Sequence, residues 1–243
     1  MSKLLILFIL ILPLFAVEPN FGKYDGSAVI LDLNSSKKIV FGSRANERVS
    51  PCSTFKILSS MIALENRVVK DEDEVIKWDG IKREYSAWNQ DHTMRSAIAV
   101  SAIWFYQELA SRIGEQRMKE YVKKVHYGNA DTSLALTSFW LGGGSLKISP
   151  SEQVDFLSRF VHNELPFSLH TIQTVKEIMA LEKHNDYQLA GKTGSCGGIG
   201  WFVGFIKNHD NTTVFAFNIK GDGANGAEAK RVALEYLKRY KTT

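Results

Sequence analysis

The sequence has little proline and little cysteine, and it contains no low-complexity tract. It has 5 prolines in 243 residues, of which 44% are hydrophobic and 23% charged. This balance excludes a disordered or fibrous chain. No internal repeat and no Pro/Gly-rich linker divides the sequence. We therefore expect one domain, long enough to bury a sizeable hydrophobic core.

The sequence also lacks an apolar run long enough to cross a bilayer comfortably. Its apolar stretch at 4–17 has 14 residues, whereas a membrane-spanning helix needs ~20. Lys3 precedes this stretch and the small Ala16 lies near its end, as in a secretory signal. We expect residues 1–16 to be a signal peptide and residues 17–243 to be periplasmic, without stable membrane association. An uncleaved membrane anchor is the alternative.

No strong excess of charge of one sign is present. The formal net charge is +4, and the basic residues are spread along the chain. No RNA-binding or zinc-finger motif accompanies them. We therefore expect no nucleic-acid partner.

The sequence lacks metal-ligand and nucleotide-binding motifs. Its six histidines form no H-E-x-x-H or other metal-ligand spacing, so we expect no metal. Gly191-Lys192-Thr193 resembles the end of a phosphate-binding loop, but that motif needs glycine where Asp186 stands. The six histidines are His92, His126, His162, His170, His184 and His209.

Strand-like patterns occur at both ends of the chain and helical periodicity lies between them. Strands at both ends exclude a repeating βαβ array. The sequence therefore predicts an α+β fold with one antiparallel sheet from both termini, a helical insertion at roughly 66–183, and a site between these halves. The predicted strands are 27–33, 38–42, 187–193, 200–206 and 212–219, and a last helix is predicted over 228–240.

The strongest local motif is Ser53-Thr54-Phe55-Lys56, which lies after Pro51 and before an apolar helical run. Ser and Pro are typical of helix starts, so Ser53 and Lys56 should share one face of a first turn. A serine hydroxyl needs a neighbouring base to become a nucleophile. Lysine is such a base only when burial suppresses its charge. By itself, the S-x-x-K pattern also fits an ordinary exposed Ser and Lys.

Three further short motifs follow in order. Ser101-Ala102-Ile103 begins an apolar helical segment, Tyr127-Gly128-Asn129 follows a helix, and Lys192-Thr193-Gly194 lies on a predicted strand. Each is weak alone, but the order and spacing of all four are very unlikely to be chance.

Together these motifs resemble those of the class D, or oxacillinase-type, serine β-lactamases, which are penicillin-recognising serine enzymes. The resemblance covers nearly all of the chain after residue 16, and it includes Trp201-Phe202-Val203-Gly204 and the segment around Trp140. One departure is Ile103, where the family usually has valine. The resemblance implies the fold of serine β-lactamases and penicillin-binding transpeptidases.

The resemblance also implies a reaction: hydrolysis of the β-lactam amide through an acyl-enzyme on Ser53, which confers antibiotic resistance. Lys56 would react with CO2 and, once carboxylated, act as general base in acylation and deacylation. No cofactor would be bound. A lysine in an apolar pocket is partly neutral near pH 7, and only the neutral amine attacks CO2.

The resemblance assigns roles to further residues. Ser101 would relay a proton to the leaving nitrogen, and the backbone N–H groups of Ser53 and Ser195 would stabilise the oxyanion. Trp140 and Ile103 would support the carboxylated lysine, although Trp140 fits an ordinary core position equally well. Tyr127 and Asn129 would form a wall of the site. The substrate carboxylate would be held by Lys192, Thr193, Gly194 and Arg231.

The two cysteines lie beside the motifs. Cys52 precedes Ser53, and Cys196 follows the strand of Lys192. If these segments face one another, the cysteines are close enough to pair, and some class A carbapenem-hydrolysing enzymes resemble this arrangement and are bridged there. We therefore expect a Cys52–Cys196 disulfide, with two buried thiols as the alternative.

Two other functions share the same motifs. A β-lactam sensor domain or penicillin-binding protein would acylate and then stall, and an inert interaction module would not react at all. The intact Ser53, Lys56, Ser101 and Lys192 argue against the inert module. A monomer or a homodimer is compatible with the sequence.

Overall fold

The structure is a computed structural model that describes residues 18–209 and 211–241. The predicted signal peptide at 1–16 lies outside the described residues. Strands from both ends of the chain form one six-stranded sheet. They are β1 (Asp25–Asp32), β2 (Lys38–Phe41), β3 (Ala180–Lys183), β4 (Tyr187–Cys196), β5 (Ile199–Asn208) and β6 (Thr212–Lys220).

All strand pairs in this sheet are antiparallel, in the order β2-β1-β6-β5-β4-β3. The first strand pairs with the last, from Asp25 opposite Lys220 to Asp32 opposite Thr213. The two predicted terminal groups of strands therefore form one sheet, and the α+β fold class is confirmed.

The helices are α1 (Lys56–Glu65), α2 (Met94–Val100), α3 (Ile103–Ile113), α4 (Glu115–Lys124), α5 (Pro150–Val161), α6 (Leu169–Ile178) and α7 (Gly226–Leu237). None of them is long and apolar enough to span a membrane within the part of the chain that the structure describes. The predicted last helix corresponds to α7, followed by a 3-10 turn at Lys238–Tyr240.

The middle of the chain is less helical than expected. Residues 66–93 and 125–149 are mostly irregular, and their polar side chains supply local caps and turns instead of a helix ladder. Asn129, for example, accepts hydrogen bonds from the backbone N–H groups of Asp131 and Lys147. Residues 180–183, expected to end the helical region, form edge strand β3 beside β4.

Both faces of the sheet are buried. On one face Ile30, Phe215 and Phe217 pack with Val232 and Tyr236 of α7. On the other face, a cluster that includes alternate residues of the same strands packs against the helical insertion. This second cluster includes Val29, Val203, Val214 and Ala216 of the sheet with Leu58, Met61 and Phe156 of the helices. Side chains alternate between the two faces of each strand, so α7 packs on one face of the sheet and the helical insertion on the other. The end of β4 lies against the turn that leads into α1.

Candidate active site

The Ser53 motif lies on a 3-10 turn, Cys52–Phe55, that runs directly into α1. Because residues three apart nearly eclipse in a 3-10 turn, the Ser53 Oγ and the Lys56 Nζ lie 2.7 Å apart. Both residues are buried. The expected shared face is therefore present, although its first turn is 3-10 rather than α-helical.

Lys56 is enclosed by apolar groups and by a second lysine. Its side chain is fully buried, and its Nζ lies 5.3 Å from the centre of the Tyr106 ring. Among the described residues no carboxylate forms an ion pair or hydrogen bond with it. Burial first, and then the charge of Lys192, hold the Lys56 pKa well below its usual value of 10.5. The amine is therefore set up to lose its proton.

Ser101 lies at the junction of α2 and α3 in a left-handed backbone conformation, with φ 60° and ψ 36°. Its Oγ lies 3.4 Å from the Lys56 Nζ and 3.0 Å from the Lys192 Nζ. Serine rarely adopts this conformation, and such strain concentrates at functional sites. The junction therefore places a hydroxyl between the two lysines.

Trp88, to which the sequence assigned no role, supports this junction. Its indole N–H donates to the Val100 carbonyl at 2.9 Å, and its own carbonyl accepts from the Trp104 indole at 2.7 Å. These contacts fix the residue before Ser101 and the beginning of α3. An isolated tryptophan in an irregular segment gives no sequence signal for such a role.

Lys192 reaches the same hydroxyl from β4. It is 4% exposed, and its Nζ donates to the Ser101 Oγ and to the Thr193 carbonyl, both at 3.0 Å. Burial, and then the charge of Lys230, lower its pKa to about 7. Ser53, Lys56, Ser101 and Lys192 thus form one continuous chain of hydrogen bonds.

Gly194 brings β4 against the turn Cys52–Phe55, which carries the candidate nucleophile Ser53 and is called the nucleophile turn below. A Cβ atom at this position would lie 3.0 Å from the Pro51 carbonyl oxygen and 3.3 Å from the Ser53 nitrogen. A side chain here would therefore press on the nucleophile turn. The next residue, Ser195, accepts a hydrogen bond through its Oγ from the Gly226 N–H at 2.7 Å, which ties the end of β4 to the start of α7.

The expected disulfide is confirmed. Cys52 and Cys196 are bonded, with their Cα atoms 5.8 Å apart. The bridge joins the residue before Ser53 to the last residue of β4.

Trp140 belongs to an aromatic cluster beneath the nucleophile turn. Its ring stacks on Phe55 at 5.5 Å between centroids, and its carbonyl accepts from the Cys52 N–H at 3.0 Å. Its indole N–H is buried and has no hydrogen-bond partner among the described residues. Ile103, the other expected support, is partly buried as the first residue of α3. The unpaired indole N–H is a donor for an acceptor that the protein side chains do not supply.

Tyr127 and Asn129, expected to form a wall, organise a loop. Tyr127 is fully buried, and its ring packs edge-on against Phe55 with centroids 5.7 Å apart. Asn129 donates to the Ser145 carbonyl at 2.9 Å. Tyr127 therefore packs against the turn that carries Ser53, and Asn129 holds its own loop together.

The structure does not bring Arg231 to the site. Its half-exposed side chain pairs with Glu228 at 3.1 Å and Glu235 at 3.7 Å along the outer face of α7. Lys230 instead lines a cavity of about 110 Å³ together with Lys192 and Thr193. One residue along a helix turns the side chain by about 100°, so the neighbouring lysine faces the sheet. The resemblance assigned this role to Arg231, and the sequence alone does not show which side of α7 faces the sheet.

These features define the class of protein. A serine and a buried lysine one turn apart, a second serine, and a Lys-Thr-Gly strand are assembled between a helical region and an antiparallel sheet. The model of the penicillin-binding protein transpeptidase domain family matches residues 26–238.

Relatives narrow this class. The probable β-lactamase YbxI of Bacillus subtilis (strain 168) is 43% identical over 228 residues, which are 92% of this chain and 84% of that protein. A solved class D β-lactamase from Bacillus subtilis superposes with a TM-score of 0.89 at 42% identity, over 93% of this chain and 97% of the other. The chain belongs to the class D β-lactamases of the penicillin-binding transpeptidase family. The expected resemblance and enzyme class are therefore confirmed.

A further relative is a regulatory protein. BlaR1 of Bacillus licheniformis is 39% identical over 226 residues, which are 89% of this chain but only 37% of that protein. The chain thus spans about a third of BlaR1, and it matches the β-lactamases along most of their length.

Proposed function

We propose that this protein hydrolyses the amide bond of β-lactam antibiotics of the penicillin type through a covalent acyl-enzyme on Ser53. The observation that carries the proposal is the 2.7 Å approach of the Ser53 Oγ to the Lys56 Nζ, in a pocket where Lys56 is fully buried. A neutral amine at this position can react with CO2, and carboxylated Lys56 would accept the hydroxyl proton as the oxygen attacks.

Acylation uses the chain of hydrogen bonds. The Ser53 oxygen would attack the carbonyl carbon, carboxylated Lys56 would take its proton, and the C–N bond of the ring would break. The leaving nitrogen takes a proton from the Ser101 hydroxyl, which regains one from Lys56 or Lys192, at 3.4 Å and 3.0 Å. The Ser53 and Ser195 N–H groups would stabilise the developing oxyanion, each by about 3 kcal/mol.

Deacylation needs a base that activates water, and carboxylated Lys56 would supply this chemistry. Neutral Lys56 and CO2 give a carbamate with the release of one proton. The surroundings suit such a group, because the Trp140 indole N–H is buried beside Phe55 without a partner and can donate to a new acceptor. Partly buried Ile103 and Leu141 would limit the access of water.

The substrate carboxylate would bind between Lys192, Thr193 and Lys230. These residues line one cavity with apolar Ile98 and Phe202, so the anion would meet two cations in a site partly shielded from water. Charge-assisted hydrogen bonds of this type contribute about 1.5–3 kcal/mol each.

One assay tests the proposal. Purified protein is mixed with a chromogenic cephalosporin, with and without bicarbonate, alongside Ser53→Ala and the control Ser111→Ala, which removes an exposed hydroxyl of α3. We expect turnover that bicarbonate stimulates, loss of turnover in Ser53→Ala, and no change in the control. A stable stoichiometric adduct would instead indicate a sensor or a penicillin-binding protein. No reaction at all would indicate an inert module.

Export and resistance complete the proposal. A leader at residues 1–16 would direct the enzyme to the periplasm, where it would protect the cell wall enzymes. Expression in a susceptible strain should raise the inhibitory concentration of ampicillin, and the activity should be released by osmotic shock. Retention of the activity in the cytoplasm or in the membrane would contradict the proposed export.

A further inference from the structure

The disulfide occupies an unusual place relative to the chemistry. Cys52 directly precedes Ser53, and Cys196 directly follows Ser195. The bridge therefore joins the neighbours of the two residues whose N–H groups were assigned to the oxyanion. With Cα atoms 5.8 Å apart, it is a short covalent link between the two donors' backbones.

Each end of the bridge lies in a tightly turned segment. Cys52 has φ 51°, a left-handed conformation that costs a non-glycine residue about 1–2 kcal/mol. Beyond Cys196 the chain reverses through Gly197 and Gly198, both with positive φ, before β5 begins at Ile199. Cys52 begins the 3-10 turn, and Ser195 and Cys196 are the last residues of β4, where they pair with Gly200 and Ile199 of β5.

Besides the bridge, the turn Cys52–Phe55 packs against β4, and the Trp201 indole of β5 donates to the Ser50 carbonyl at 2.9 Å. Further hydrogen bonds tie each donor segment to a third element. On one side, the Cys52 N–H donates to the Trp140 carbonyl at 3.0 Å. On the other, the Ser195 Oγ accepts from Gly226. Gly194 lies close to Ser53, since a Cβ atom added to it would be 3.3 Å from the Ser53 nitrogen. The bridge is thus a direct bond between the two segments, whereas these hydrogen bonds tie each segment to a third element.

We propose that the Cys52–Cys196 bridge is a positioning element that sets the separation of the Ser53 and Ser195 N–H groups, so that the hydrolysis depends on the redox state of the two cysteines. This inference rests on the proposed function. Reduction adds two electrons and two protons and gives two thiols, while a dithiol reductant is oxidised to its cyclic disulfide. Cys196 is partly exposed and Cys52 fully buried, so a reductant would approach from the β4 side.

The effect should appear in kcat rather than in KM. Oxyanion donors act on charge that develops in the transition state, whereas the substrate carboxylate binds at Lys192 and Lys230 on another part of the site. Removal of one donor costs about 10²–10³ in kcat. After reduction both donors remain, but the bridge no longer holds them at a fixed distance. We therefore expect kcat to fall about 10-fold to 100-fold and KM to change less than 3-fold.

The test measures chromogenic cephalosporin hydrolysis by oxidised wild-type protein, by the same protein after incubation with dithiothreitol, and after reoxidation. The thiols are counted in each sample, and far-UV circular dichroism is recorded at the assay temperature. The double variant Cys52→Ala/Cys196→Ala is the matched control, because dithiothreitol should not change its rate. We expect reduced and variant proteins to be folded with lowered kcat, and reoxidation to restore the wild-type rate.

Each outcome decides the inference. Unchanged kcat in fully reduced, folded protein would overturn it, as would a change confined to KM. Unfolding on reduction would also overturn it, because the bridge would then only stabilise the fold. An oxidised wild-type protein without any turnover would refute the proposed function itself, which is a separate result.

Discussion

At the scale of single residues, the electrostatics of the site come from lysines. The Nζ atoms of Lys56 and Lys192 are both within reach of the Ser101 Oγ, and Lys230 lines the adjoining cavity. Each charge opposes protonation of the next lysine: Lys192 lowers the pKa of Lys56, and Lys230 lowers that of Lys192. Among the described residues, the pKa values of both lysines are thus lowered by burial and by other cations, with no anion paired to them.

The pH dependence of the reaction should report this coupling. Replacing Lys192 with Met removes a positive charge near Lys56, so the pKa of Lys56 rises and less of its neutral form is present at neutral pH. We expect the acid limb of kcat against pH to move to higher pH in Lys192→Met. A full pH profile at saturating bicarbonate measures this shift. A limb that stays in place would show that Lys192 does not affect the base.

The choice between the two adjacent cations of α7 can also be tested. Lys230→Ala should raise KM for a carboxylate-bearing β-lactam about 10-fold or more, because a charge-assisted hydrogen bond contributes about 1.5–3 kcal/mol. Arg231→Ala should change KM less than 2-fold, since this side chain pairs with Glu228 and Glu235 near the surface. Steady-state kinetics of the two variants decide the matter, and the reverse pattern would restore the carboxylate role to Arg231.

At the scale of elements, the candidate catalytic serines lie at the ends of short helices. A 3-10 turn presents Ser53 at the beginning of α1, and the C-terminal end of α2 presents Ser101. The N-terminus of α2 is fixed by a capping box in which Thr93 and Ser96 bond reciprocally. Such fixed helix ends hold a side chain in place with few residues.

Ser101 should show a conflict between stability and activity. At φ 60°, glycine is tolerated without the steric penalty that other residues have. Ser101→Gly should therefore be more stable than the matched Ser101→Ala by about 1 kcal/mol, while both lose the relay hydroxyl and most of kcat. Urea unfolding and cephalosporin kinetics measure the two effects. Equal stability of the variants would mean that the left-handed conformation is not retained.

Elements with a strong hydrophobic pattern were predicted from the sequence, whereas elements that depend on pairing with another strand in space were missed. The hairpin of β1 and β2 and the strands from Tyr187 onward have β-branched and aromatic residues, and they were recognised. The short strand β3, with sequence Ala-Leu-Glu-Lys, is defined by its pairing with β4. No local period distinguishes four such residues from the end of a helix.

The same contrast between local pattern and spatial contact applies to the candidate site. Ser53, Lys56, Ser101 and Lys192 stand in motifs whose spacing is visible in the chain, and the structure brings them together. Lys230 and Trp88 stand in no motif. Their places depend on the helix phase of α7 and on the packing of an irregular segment, which only the folded molecule determines.

At the scale of the whole molecule, two buried lysines that pair with no carboxylate in the described part of the chain should make stability depend on pH. Their folded pKa values lie below the usual 10.5, at about 7 for Lys192. The unfolded chain therefore binds more protons between these values and 10.5, so the free energy of unfolding rises with pH in this range.

Denaturant unfolding at several pH values checks this expectation. The wild type should gain stability from about pH 7 to pH 10, by up to about 1.4 kcal/mol per pH unit for each lysine. The double variant Lys56→Met/Lys192→Met should be more stable than the wild type at pH 7 and should show a weaker dependence. A wild type whose free energy of unfolding rises over this range no more than that of the variant would contradict this expectation.

The pairing of β1 with β6 has a consequence for the order of assembly. Strand β1 (residues 25–32) pairs with β6 (residues 212–220). Both are interior strands of the sheet, which therefore forms only after almost the whole polypeptide has been synthesised. Cys52 likewise cannot form its disulfide bond before Cys196 has been synthesised. An incomplete chain is therefore unable to close its sheet or to form the Cys52–Cys196 bond. Oxidation of the cysteines then belongs among the last events in maturation.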